Sequence, residues 1–218
     1  MALTEETRNE LLEIIKRYPD QARSALNPML HLTQSVEGYV SPEAIELCAE
    51  LLELTPAEVS AVATFYTMYK RRPVGTHLIG VCVNPQCGIL GGQEIFESLC
   101  GDLGIGNDET TEDGMFTIEK IECQAACTYA PSTTLDWEFM DDMSVDKMRD
   151  VVTKLRNGET VESTRGPVIR DFRATERTIA GFDDGLGHDG GNNADAVMLA
   201  GLNVAKAQGM PDVDGGKK

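Results

Sequence analysis

A chain of 218 residues with 41% hydrophobic content is long enough to bury one substantial core and a second, smaller one. No apolar run approaches the ~18 residues a bilayer-spanning helix needs, and a net charge of −17 argues against nucleic acid, whose binding requires Lys and Arg to neutralise phosphates. The start, "MALTEETRNELLEIIKRYPDQ", is polar and acidic without a charged-then-apolar leader, so the chain is expected to be cytoplasmic, where clustered cysteines more often hold metal or do redox work than form structural disulfides.

Residues 1–72 read as a helical domain. Thr4 can cap a first helix with Glu5 and Glu6 in its first turn and Leu11, Leu12, Ile14 and Ile15 on its apolar side. "SPEAIELCAELLEL" offers Ser41 as N-cap and Pro42 at the first helical position, where a missing N–H costs nothing. "TPAEVSAVATFYTMYK" repeats that start with Thr55 and Pro56 and adds Glu58 to complete a capping box. Cys48 falls on the apolar stripe of the second of these helices, with Leu47, Leu51 and Leu52, and is read as a buried thiol.

"KRRPVGT" (residues 70–76) marks a boundary, after which the period changes. "HLIGVCV" is strand-like, "GQEIFESLCGDLG" is a short helix closed by glycine, and "MFTIEKIEC" alternates as a strand should. "TTLDWEF" reads as a further strand, and "SVDKMRDVVTKLRNG" as a closing helix from the Ser144 cap to Gly158. The order β-α-β-β-α over residues 73–157 describes helices packed on a small sheet. Residues 158–218 hold 11 of the 21 glycines and few large apolar side chains, so an extended Gly-rich tail without a core of its own is expected, with one short helix in "NADAVMLAGLNVAKAQG".

The chemistry sits in "VCVNPQCGILGG" and "ECQAACTYAP". Four residues separate Cys82 from Cys87 and three separate Cys123 from Cys127, each pair following a strand in a loop of small and turn-forming residues. Two such loops at one end of a sheet would bring four sulfurs together near the surface. A structural zinc site is an atypical reading of these spacings, a thioredoxin-type redox site would need C-x-x-C, and plant-type ferredoxins share only the first gap. All-cysteine ligation of a [2Fe–2S] cluster suits four thiols so placed, with a zinc or interaction module as the competing reading. Cys100 is read as a helix thiol and Trp137 as packing, while His31, His77 and His188 are too dispersed for a metal site.

On "ATFYTMYKRRPVGTHLIGVCVNPQC" followed by "FTIEKIECQAACTYAP", the chain resembles the [2Fe–2S] E-subunit family of bacterial NADH-quinone oxidoreductase (respiratory complex I), over roughly residues 11–157. The family is also used in NAD-linked hydrogenases and formate dehydrogenases, which stand as alternative hosts. Its pattern is C-x₄-C and, after a gap, C-x₃-C-x-x-A-P. The resemblance implies an α+β chain in which a helical N-terminal domain precedes a thioredoxin-like [2Fe–2S] ferredoxin domain. It further implies that Cys82 and Cys87 bind one iron and Cys123 and Cys127 the other. FMN and NADH are expected on a neighbouring flavoprotein subunit, with the whole peripheral to the inner face of the cell membrane and this chain carrying electrons without a complete active site of its own. Thioredoxin-like folds often carry a cis proline before a strand, in the place Pro131 occupies, and the sequence leaves both isomers open at Pro131.

The chain departs from that pattern at Gln124-Ala125, where the family has Leu-Gly, and at Ser132-Thr133-Thr134, where apolar residues are usual. A backbone needing positive φ at Ala125 would be strained. About −10 of the net charge falls on residues 73–157. One carboxylate ~10 Å from a cluster at an effective dielectric near 20 opposes an added electron by roughly 1.7 kcal/mol, about 70 mV. The acidic domain is therefore expected to favour a low reduction potential.

Overall fold

The computed structural model describes residues 3–182, 185 and 196–210. The N-terminal part is a bundle of four helices. In α1 (Glu5–Lys16) the Thr4 hydroxyl accepts the Thr7 N–H at 3.3 Å, as its sequence predicts. A 3₁₀ turn over Ala22–Ala25 leads directly into α2 (Leu26–Glu37). Helix α3 (Pro42–Leu52) starts at the Ser41 cap, and α4 (Pro56–Phe65) carries the complete Thr55/Glu58 capping box.

Helix α2 is the centre of this bundle. Its Leu26, Met29, Leu30 and Leu32 are buried together with its polar Thr33 and Gln34. Gln34 is not orphaned there: its amide donates to the Met68 carbonyl at 3.0 Å and its carbonyl accepts the Lys70 N–H at 2.6 Å. A core residue thus ties the connecting stretch to the bundle.

The second part is a five-stranded sheet in the order β2-β3-β1-β4-β5. Strand β1 (His77–Cys82) is central, parallel to β3 (Phe116–Ile121) and antiparallel to β4 (Thr133–Leu135). The crossover from β1 to β3 contains α5 (Pro85–Ile89), α6 (Gly92–Leu103) and the short β2 (Glu109–Thr110). After β5 (Glu138–Met140) comes α7 (Val145–Arg156), capped by Ser144. Helices α6 and α7 cover one face, where Ile79, Val81, Phe116, Ile118 and Leu135 meet Ile95, Leu99, Met148 and Val152.

Two stretches differ from the sequence expectation. "TTLDWEF" is not one strand: the chain reverses at Asp136 (φ +50°) and Trp137 (φ +72°), a two-residue hairpin turn whose twist matches its strands. What fixes the reversal is the fully buried Asp136 carboxylate, which accepts the Leu78 N–H at 2.7 Å and pairs with His77 Nδ1 at 2.6 Å. The glycine-rich segment also carries more structure than its composition suggests. Val161 and Ile169 join the sheet core, and α8 (Phe172–Ile179), capped by Asp171, packs on α2.

The reason lies in the inward face of α8. Glu176 is fully buried, pairing with His31 Nδ1 at 2.6 Å and accepting the Trp137 indole N–H at 2.6 Å. Arg173 donates to the Ser35 carbonyl at 2.7 Å and to the Val36 carbonyl, at the unsatisfied C-terminal end of α2. Trp137 packs on Phe172, with the Lys70 ammonium over its ring. Further along, α9 spans Ala200–Ala207, inside the helix expected there; His188 lies outside the described residues. No helix among the described residues is long and apolar enough to cross a membrane.

Candidate metal centre

The two cysteine pairs lie at one end of the sheet, where the parallel strands β1 and β3 finish side by side. Cys82 is the last residue of β1 and faces Ile121, the last residue of β3, so the segments that follow both strands leave the sheet together. The first turns at once into α5, with Asn84 as its extended cap residue and Pro85 at its first position. Cys87 therefore sits on a short helix, not in the loop that its glycines and proline suggest. The Asn84 amide bridges the two strand ends, donating to the Ile121 carbonyl at 3.1 Å and reaching Cys82 Sγ at 3.8 Å. Sequence reasoning passed over Asn84, although an Asn before Pro is a legible helix start.

Gly92 closes this loop by close approach. A Cβ there would stand 2.3 Å from the Cys82 carbonyl and 2.9 Å from that of Cys87, so no other residue fits without moving backbone. The second loop holds Ala125 at φ +57° between its cysteines, the left-handed conformation foreseen as a strain, and it ends at a cis Ala130–Pro131 peptide. A 3₁₀ turn over Cys127–Tyr129 carries the last cysteine.

The four predicted ligands are brought together as two pairs. Cys123 Sγ and Cys127 Sγ stand 3.5 Å apart, and Cys87 makes a sulfur contact with Cys82 and feels Cys127 electrostatically. Cys82 and Cys87 are buried while Cys123 and Cys127 are exposed, and none of the six cysteines is in a disulfide. Burial first, and then the sulfur neighbours, push the Cys87 thiol up, partly offset by a hydrogen bond from the Ser132 N–H. Cys127 is pushed up by its hydrogen bond with Cys123 and by the Cys123 charge. A metal bound among the four sulfurs would favour their deprotonated, ligating form. The four cysteines stand as two sulfur pairs, although among the described residues no group of three or more His, Cys, Asp or Glu side chains is placed to hold a metal ion. That donor set fits a binuclear, all-thiolate group.

The other thiols stand apart from this. Cys48 is fully buried in the helical bundle, where desolvation pushes it up to about 12, and Cys100 lies half-buried on α6. His31 and His77, assigned no metal, are each paired with a buried carboxylate.

Comparison with known proteins agrees with this chemistry. The family model described as thioredoxin-like [2Fe-2S] ferredoxin matches residues 11–156. The E subunit of NADH-quinone oxidoreductase from Mycobacterium tuberculosis (strain ATCC 25618 / H37Rv) is 48% identical over 198 residues, covering 91% of this chain and 78% of the relative. NADH-quinone oxidoreductase subunit 2 of Thermus thermophilus is 33% identical over 169 residues, covering 77% and 93%. Among solved structures, an NAD+-reducing [NiFe]-hydrogenase in the air-oxidized state superposes with a TM-score of 0.53 at 17% identity, over 60% of this chain. The chain spans only 23% of that hydrogenase chain, and the likeness is one of fold. With its four thiols paired at the sheet end and the family match running through both loops, the chain belongs to the thioredoxin-like [2Fe–2S] ferredoxin family.

Proposed function

We propose that the chain is the electron-carrying E subunit of an NADH-quinone oxidoreductase, with a [2Fe–2S] cluster held by Cys82 and Cys87 on one iron and Cys123 and Cys127 on the other. The observation that carries the reading is the meeting of two cysteine pairs across the ends of β1 and β3, in a chain 48% identical to such an E subunit over 91% of its length. When bound, such a cluster supplies a one-electron acceptor. The chain's own residues set its surroundings: Cys82 and Cys87 anchor it to the sheet core, Gly92 lets α6 start against the carbonyls of both these cysteines, and the exposed Cys123–Cys127 loop leaves an edge open to a partner. NADH and FMN belong, in this reading, to a flavoprotein subunit docked at that edge. The assembly sits on the cytoplasmic side of the membrane, bound there through its other subunits.

Replacing any one ligand cysteine with serine is expected to abolish or strongly weaken the red-brown absorbance and the rhombic EPR signal after dithionite reduction. Cys48→Ala and Cys100→Ala are expected to keep both. A colourless, EPR-silent wild-type chain that purifies with stoichiometric zinc would refute the reading. Identifying the flavoprotein that co-purifies, together with a quinone- or hydrogen-linked activity, separates complex I from an NAD-linked hydrogenase as host.

A further inference from the structure

Ser132 lies where the site meets the sheet. Its carbonyl accepts the Cys82 N–H at 3.3 Å, and its own N–H donates to the Cys87 sulfur, so its backbone already serves both buried cysteines. In the β1–β4 ladder Gly80 faces Thr134 and Val81 faces Thr133; one step further, Cys82 faces Ser132. Facing residues of an antiparallel pair project from the same side of a sheet. The Ser132 hydroxymethyl group therefore shares its side with the Cys82 thiol.

Ser132 is 2% exposed, and its Oγ is the only buried side-chain nitrogen or oxygen among the described residues without a hydrogen-bond partner. Native proteins rarely leave a buried hydroxyl unmet. Its neighbour illustrates the contrast: the Thr133 hydroxyl, on the opposite side of the strand, is committed to the Met148 sulfur at 3.4 Å. The unpartnered hydroxyl thus stands on the same side of the sheet as the Cys82 thiol.

We propose that the Ser132 hydroxyl donates a hydrogen bond to a sulfur of the centre held by the four cysteines and so raises its reduction potential, a role that rests on the ligand assignment given above. Reduction adds one electron and neither makes nor breaks a bond. The added negative charge is shared by sulfur, so a donor aimed at sulfur stabilises the reduced form more than the oxidised one. The acidic surface acts in the opposite direction, and Ser132 is the local counterweight. It is a positioning and tuning residue, with no proton transferred.

The test is an EPR-monitored redox titration of the full-length, cluster-loaded chain in wild-type, Ser132→Ala, Ser132→Thr and Thr133→Val forms. Ser132→Ala is expected to lower the reduced-to-oxidised ratio at a fixed potential about tenfold, a midpoint more negative by about 59 mV. Ser132→Thr, which keeps the donor, is expected to restore the wild-type midpoint, and Thr133→Val to leave it unchanged. A loaded Ser132→Ala protein with an unmoved or raised midpoint overturns the proposal, as does an equal shift in Thr133→Val. If Ser132→Ala takes up no cluster, Ser132→Val against Ser132→Thr makes the same comparison at matched shape and is judged by the same outcomes. Absence of the EPR signal in the wild type itself would overturn the ligand assignment and the proposal with it; an intact signal with an unmoved midpoint overturns the Ser132 role alone.

Discussion

Ala125 holds a backbone conformation that its methyl group opposes. Left-handed φ costs an L-residue roughly 1–2 kcal/mol, and glycine removes most of that at some entropic expense. Ala125→Gly is therefore expected to stabilise the loaded protein by about 1 kcal/mol, seen as a higher midpoint of thermal unfolding with the visible spectrum unchanged. Asp136 also sits at positive φ, but there the side chain holds the turn in place through the Leu78 N–H. Burial raises its carboxyl to about 6, against the hydrogen bonds from His77 and Leu78 that favour the charged form. A carboxyl raised in the folded state contributes stability that is complete below its unfolded value near 4 and is lost as pH rises through about 6. Urea midpoints measured from pH 4 to 7 are expected to carry this downward component. Asp136→Asn, which keeps the left-handed turn and removes the titration, is expected to flatten it.

At the scale of elements, α8 is the piece that the rest of the fold is arranged to receive. Its Glu176 alone satisfies a histidine of α2 and the indole of the β4–β5 turn. Glu176→Ala is expected to cost about 3 kcal/mol by leaving buried polar partners unmatched, whereas exposed pairs such as Arg8–Glu50 contribute little; chemical denaturation of the two variants, Glu176→Ala and Arg8→Ala, measures the difference. The sequence showed helices α1, α3, α4 and α7 because each opens with a Thr or Ser that the structure uses as a cap. It did not single out α2, which has no side-chain cap and is buried around its circumference, erasing the one-sided stripe that periodicity detects. The hairpin turn at Asp136 was equally hidden, since its cause is a backbone N–H 58 residues away in sequence. Local signals placed both cysteine pairs after strands but took the short helix that carries Cys87 for loop; the hydroxyl of Ser132 needed the register of β1 against β4 before it meant anything.

For the molecule as a whole, charge is the dominant feature beyond the fold. The concentration of carboxylates in the sheet part opposes an added electron, and dissolved salt screens that opposition over ~30 Å at 0.01 M but only ~3 Å at 1 M. The midpoint potential of the loaded chain is expected to rise with ionic strength, by tens of millivolts on the order-of-magnitude arithmetic above. A potentiometric titration repeated at low and high salt checks this, and an unchanged midpoint would mean that the surface carboxylates lie too far from the centre to matter. The return of α8 to α2 has another consequence, one of timing. His31 pairs with a residue 145 positions downstream, and the Ser35 carbonyl waits for a guanidinium 138 positions downstream. During synthesis the helical bundle emerges first yet lacks its buried carboxylate until nearly the whole sheet part has been made. The ribosome thus delivers the cysteine loops before the first domain can close, leaving an interval in which the thiols are already present and the fold around α2 is still incomplete.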